Sequence, residues 1–79
     1  MYCLKIDGIY NKKGKKATES DRLKGTTVNM EKLEYSKGEA VSFKLSNGEL
    51  LSLVLTKKSV REDNNLILTT TNKRYIFSA

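Results

Sequence analysis

The sequence lacks histidine, proline and tryptophan, and it has one cysteine among 79 residues. Histidine is the commonest general acid–base group and metal ligand, so its absence removes the usual routes to catalysis and zinc binding. The single thiol, Cys3, cannot form an internal disulfide or a zinc site, which indicates a reducing, cytoplasmic compartment. No apolar run approaches the roughly 20 residues that span a bilayer, so no membrane segment is predicted. We therefore expect a cytoplasmic protein that is not an enzyme and needs no cofactor or metal.

Other reactive patterns are also missing. Cys3 lies on a predicted strand without a histidine partner, so we expect a small packing residue and not a nucleophile. The five glycines form no phosphate-binding motif, and the acidic residues lack the spacing of a calcium loop. A chain of this length is expected to form one domain, residues 1–79, without room for a deep active site.

Positive charge is the most prominent property that is present. The formal net charge is +6 and the pI is about 9.6, which favours an anionic partner such as nucleic acid or an acidic protein, although solubility alone would explain it. The charge concentrates in residues 11–25, which have few apolar side chains and are predicted to form a long, mobile basic loop. Ala17 to Leu23 could form one helical turn there, capped by Thr18 or Ser20.

Lysines on such a loop can neutralise phosphates, and a tyrosine beside them can stack a base. The predicted nucleic-acid-binding set is Lys12, Lys13, Lys15, Lys16, Lys24 and Tyr10. The competing interpretation is that these lysines are only solvated and that Tyr10 belongs to the core. Tyr35 and Tyr75 are further candidates for exposed aromatics. A second basic set comprises Lys57, Lys58, Arg61, Lys73 and Arg74, and its position relative to the loop depends on the topology.

The remaining sequence is typical of short strands. Tyr2, Leu4 and Ile6 alternate with polar residues, as in a half-buried strand. In residues 28–35 the apolar phase shifts, which predicts a β-bulge or, alternatively, a short helix over 29–36. A turn with Gly38 at positive φ follows at residues 36–39.

The strongest signal is a β-hairpin over residues 41–55 around Ser46-Asn47-Gly48. A three-residue loop with Gly48 in the left-handed region would place Phe43 opposite Leu51, and a two-residue turn would place it opposite Ser52. We choose the first register because it puts the apolar side chains on one face. The outer-face residues Leu50 and Val54 are also apolar, so cover on both faces is expected.

A second hairpin is predicted around Asn72-Lys73, which pairs Leu68 with Phe77 and Thr70 with Tyr75. Together these patterns predict a mostly all-β fold: a five- to six-stranded antiparallel meander that closes as a small SH3-like or OB-like barrel, with at most one short helix. A sheet packed against one short helix is the alternative.

The segment 64–77 combines a polar turn, a threonine-rich strand, an Asn-containing turn and a Tyr-x-Phe ending. It resembles small β proteins carried by bacteriophages and mobile elements. The resemblance implies an accessory or inhibitor protein that binds a host macromolecule. Two functions are thus predicted: a nucleic-acid-binding module that uses the basic loop, or a protein-interaction module, either phage-like or homo-oligomeric, that meets an acidic partner.

Overall fold

A computed structural model describes residues 1–79 of the chain. It contains one short helix and seven strands. The elements are β1 (Tyr2–Asn11), α1 (Thr18–Leu23), β2 (Thr27–Met30), β3 (Ala40–Lys44), β4 (Leu50–Val54), β5 (Val60–Glu62), β6 (Asn65–Thr69) and β7 (Lys73–Ser78). The predicted mostly β, antiparallel fold with at most one helix is confirmed. With its six residues, α1 is not a helix that could cross a lipid bilayer.

The strands form two antiparallel sheets. Five strands pair in the order β2-β1-β7-β6-β5, and β3 and β4 form a separate hairpin. Consecutive strands pair in β1–β2, β3–β4 and β5–β6–β7, and the last strand, β7, pairs with the first, β1, but the predicted meander is interrupted because β2 does not pair with β3 or β4 with β5. Backbone hydrogen bonds join the hairpin to the larger sheet near its ends, where the Ser46 N–H donates to Thr27 O (2.9 Å) and the Thr56 N–H donates to Thr69 O (2.9 Å). No sheet closes on itself, so the predicted barrel closure is not confirmed.

The irregularity predicted in residues 28–35 lies elsewhere. β2 ends at Met30, and the chain then leaves the sheet without forming either a bulge or a helix. Tyr35 lies outside any strand but is buried. Its N–H donates to Ser59 Oγ (2.9 Å) and its hydroxyl donates to Lys32 O (2.8 Å), so its polar groups have partners within the chain. The register shift instead occurs in β1, between Ile6 and Gly8. The apolar phase change therefore marks the end of a strand.

The β3–β4 hairpin has the predicted register. Phe43 lies opposite Leu51, Val41 lies opposite Leu53, and Gly48 has a φ of 91°. The predicted cover on both faces of β4 is wrong: Leu50 is 68% exposed and Val54 is 62% exposed. No second layer covers these two side chains, so this face of the hairpin remains in solvent.

The β6–β7 hairpin differs from its predicted register by two residues. Leu68 lies opposite Tyr75 and Leu66 lies opposite Phe77. The Thr70 N–H donates to Lys73 O (2.8 Å), so the turn is centred on 71–72 and not on 72–73. Moving a turn by one residue moves each pairing by two, and the side chains keep their face.

One apolar core joins the two sheets. Phe43 packs edge-to-face against Tyr35 and Phe77, with ring centroids 6.0 and 6.2 Å apart. Side chains from β1, β2, β4, β6 and β7 complete this cluster. Cys3 is exposed on β1, so its predicted packing role is wrong. It lies on the solvent side of the strand, next to the inward-facing Leu4.

Candidate nucleic-acid interface

The lysines at residues 12–16 are carried by a tight, hydrogen-bonded turn. Asn11 Oδ1 accepts the N–H groups of Lys13 and Lys15, each at 3.0 Å. The Asn11 N–H donates to Lys15 O (2.7 Å), and Gly14 takes the left-handed φ of 85° that such a turn favours. This turn extends β1 into a small hairpin. Its hydrogen bonds fix the backbone that carries the four lysines. Lys12, Lys13, Lys15 and Lys16 are all exposed.

The rest of the segment 11–25 is anchored by α1. Ala17 occupies the N-cap position without a side-chain cap hydrogen bond, so neither Thr18 nor Ser20 caps the helix as predicted. The buried Ser20 Oγ instead accepts the Ile9 N–H at 3.0 Å. Serine thus satisfies a donor of β1 and ties the helix to the sheet.

Lys24 lies apart from the other predicted lysines. It follows α1 and precedes Gly25, whose N–H donates to Ile6 O at 2.8 Å. Ile6 and Asn11 are roughly 15 Å apart along β1 at about 3.3 Å per residue. The structure therefore brings Lys12, Lys13, Lys15 and Lys16 together and leaves Lys24 at the other end of the helix.

Tyr10 is half-buried on the outer face of β1, where it covers Gly8. A Cβ atom on Gly8 would lie 2.8 Å from Tyr10 Cε2 and 2.9 Å from its hydroxyl oxygen. The ring rests on the strand backbone because glycine leaves that space open. The cross-strand partner of Tyr10 is Arg74, whose guanidinium carbon is 6.0 Å from the ring centroid.

A polar groove of about 660 Å³ runs beside this tyrosine–arginine pair. Its cations are Lys12 from the turn, Lys57 from the β4–β5 connection, and Lys73 and Arg74 from β7, and its one acidic side chain is Glu62. Threonine and asparagine side chains supply most of the remaining lining, namely Asn11, Thr56, Thr69, Thr70, Thr71 and Asn72. Lys57, Lys73 and Arg74 of the second basic set therefore line the same groove as Lys12 of the first set.

The four cations of the groove are not electrostatically equivalent. Lys73 Nζ lies 2.7 Å from Glu19 Oε1, a buried oxygen with no other polar partner. Its hydrogen bond with Glu19 raises the pKa of Lys73, and the pair compensates its charge. Lys12, Lys57 and Arg74 take part in no ion pair. Those three side chains carry the free positive charge of the groove, and Glu62, which also takes part in no ion pair, offsets one unit of it.

The other tyrosines suggested as exposed aromatics are buried. Tyr35 packs on Phe43, and Tyr75 faces the core of the β1–β7 pair. Burial raises the pKa of both hydroxyls, as expected for phenols removed from water. Neither ring is available to a ligand on the surface.

Sequence reasoning named Lys57 and Arg74 as part of a second basic set but did not place them beside Lys12, and it missed the groove threonines. No sequence signal indicates the pairing of Arg74 with Tyr10, because it joins strands from opposite ends of the sequence. No protein-family model, curated protein or solved structure matches this chain.

Proposed function

We propose that this chain is a small, non-enzymatic binding module that holds a nucleic-acid backbone in the groove beside residues 12–15. The observation that carries the proposal is the convergence of Lys12, Lys57 and Arg74, none of them ion-paired, from three separate parts of the chain. Three unpaired cations gathered beside a single carboxylate, Glu62, favour a polyanion, because each phosphate they neutralise releases condensed counterions. The hydroxyl-rich lining adds donors of the kind that bind phosphate oxygens.

The organisation of the turn supports the same proposal. Asn11 holds the backbone of residues 13 and 15 before any ligand arrives, so binding requires little further ordering of the chain. Lys13 and Lys15 on this turn extend the positive surface beyond the groove. Lys16 contributes less, because its Nζ is 3.1 Å from Asp21.

The test is a salt titration of oligonucleotide binding, followed by fluorescence anisotropy. Single-stranded DNA, RNA and duplex DNA are each titrated with the protein at several salt concentrations. Replacing Lys12, Lys57 and Arg74 together by Gln should reduce the salt slope for a single strand by about 2, at about 0.7 per phosphate contact. The matched control replaces Lys24, Lys37 and Lys44, which are exposed and outside the groove, and should keep most of the slope.

A second comparison addresses the turn itself. Replacing Lys12, Lys13, Lys15 and Lys16 together by Ala should weaken binding at low salt without unfolding the protein, because exposed charges carry little stability. The proposal is wrong if the wild type binds none of the nucleic acids more tightly than about 10⁻⁴–10⁻⁶ M at physiological salt.

The edge of β4 supports a protein-interaction module as the second candidate. This strand has the uncharged sequence Leu50–Val54, pairs on one side only, and exposes Leu50 and Val54. An antiparallel pair of two copies centred on Ser52 would place Leu50 of each copy opposite Val54 of the other, a self-complementary arrangement. A host protein, as for a phage-type inhibitor, would use the same edge. Concentration-dependent light scattering, with Val54→Lys as the variant that prevents pairing, distinguishes a dimer from a monomer.

The exposed Cys3 thiol supports the proposal of a reducing, cytoplasmic location. An exposed free thiol is prone to intermolecular oxidation wherever disulfides persist. Cys3 does not line the proposed groove, whereas residues 52–54 of β4 lie beside the turn residues 70–73 that also line it.

A further inference from the structure

The outer face of the larger sheet carries an apolar row that the core does not bury. Gly8, Ile76, Ile67 and Val60 lie opposite one another on β1, β7, β6 and β5. Ile76 and Ile67 are half-buried, and Val60 is 47% exposed. Ile67 and Val60 also line the groove described above.

The neighbouring row places an aromatic ring and a planar cation beside these apolar residues. Tyr10, Arg74 and Thr69 are cross-strand partners. The Tyr10 ring lies over Gly8, at the β1 end of the apolar row. At 6.0 Å from the ring centroid, the guanidinium carbon of Arg74 is at the outer limit of a cation–π contact. It can therefore leave the ring for a phosphate at little cost.

An aromatic ring, an apolar row and a planar cation on one surface favour a nucleic-acid ligand whose bases are unpaired. A duplex keeps its bases stacked inside and offers phosphates to a surface, so an apolar row and an aromatic ring would add nothing to its binding. A single strand presents free base faces, which stack on aromatic rings and on arginine planes whatever the sequence. An acidic peptide would use the cations but has no flat π-face for Tyr10.

We infer that the groove and the adjacent outer face bind single-stranded nucleic acid, with a base stacked on Tyr10 and its flanking phosphates held by Lys12, Lys57 and Arg74. The inference rests on the proposed function and adds the class of substrate to it. Stacking is tolerant of base identity, so binding is not expected to be sequence-specific. Gly8 acts as a positioning residue, because its missing side chain lets the ring lie on the strand.

The test uses ligands of equal phosphate number: a fluorescent oligo(dT), the same chain without bases, the corresponding duplex, and an oligoglutamate of matched charge. We expect oligo(dT) to bind the 79-residue chain most tightly. Tyr10→Leu should reduce oligo(dT) affinity by about 5- to 150-fold, the range measured when one stacked aromatic is removed. It should leave binding of the abasic chain unchanged, and Tyr10→Phe should retain most of the affinity.

Gly8→Ala provides an independent variant. The added methyl group would meet the outer end of the Tyr10 ring at 2.8 Å and displace it, while Gly8 has no positive φ that alanine would strain. We expect a loss of oligo(dT) affinity close to that of Tyr10→Leu, with a thermal unfolding midpoint that shows the protein is still folded. If Gly8→Ala unfolds the chain, the Tyr10→Leu and Tyr10→Phe pair still decides the question.

The outcomes separate the two proposals. Equal affinity for oligo(dT) and the abasic chain overturns the stacking inference but leaves a phosphate-binding groove. Tighter binding of duplex or of oligoglutamate than of oligo(dT) also overturns it. Failure to bind any of the four ligands overturns both.

Discussion

Replacing Phe43 by alanine tests whether one core holds the two sheets together. Phe43 is 6% exposed, and its ring packs edge-to-face on Tyr35 from the β2–β3 connection and on Phe77 from β7. Truncating a buried phenylalanine costs about 3–5 kcal/mol. Two aromatic contacts, at about 0.5–1.5 kcal/mol each beyond buried area, favour the upper part of that range.

That loss is large for a chain of this size. At about 0.05–0.15 kcal/mol per residue, the free energy of unfolding should be about 4–12 kcal/mol. Urea denaturation followed by circular dichroism measures the change. The m-value of so small a domain is expected to be about 1 kcal/mol per M. The urea midpoint of unfolding should therefore fall by about 3–5 M, or the variant should be unfolded in water.

Leu50→Ala on the same hairpin is the matched control. Leu50 is 68% exposed on the outer face, so its removal should change stability by less than about 0.5 kcal/mol. A Phe43→Ala protein that unfolds within about 1 kcal/mol of the wild type, with an unchanged m-value, would refute a shared core.

Three further predictions concern the surface. Amide protons in the turn at residues 12–16 should exchange faster than those in 50–55, because every residue of that turn is exposed; equal protection of the two segments would contradict this. The Asn11→Ala variant removes the acceptor for two backbone N–H groups of this turn, so amide exchange there should be faster still. The hydrogen bond from Lys32 lowers the pKa of Glu39 below its ordinary value of 4.5. The resulting stabilisation is present above the pKa of the unfolded carboxyl and is lost as pH falls through the folded pKa. An NMR titration should show this low midpoint, and Lys32→Ala should raise it.

Features encoded within a few residues could be predicted from the sequence. The register of β3–β4 follows from Ser46–Gly48 and from the apolar alternation beside it, both of which are local. The β6–β7 turn is less specific, because Thr71, Asn72 and Lys73 fit neighbouring turn positions equally well, and the predicted centre was one residue too late. The inward-facing side chains were still identified, since that error preserves the faces.

Features that need distant partners could not be predicted. Whether Lys57 and Arg74 would join Lys12 depends on β7 pairing with β1, for which the sequence pattern carries no pairing signal. The bulge in β1 is hidden for the same reason: Ile6 and Ile9 both face the core although their positions differ by three, which in a regular strand would put them on opposite faces. The exposed face of β4 also escaped prediction, because an apolar residue does not reveal that its covering layer is absent.

The central position of β1 has a consequence for how quickly the protein folds. The hairpins β3–β4 and β6–β7 join neighbouring segments and can form in about 1–10 μs. β1 must find β7, which comes from the opposite end of the sequence, and closing such a long loop is entropically the most expensive pairing in the fold. We therefore expect this closure to limit the folding rate. The Tyr10–Arg74 pair forms in the same step, so the proposed binding surface should become competent only when folding is complete.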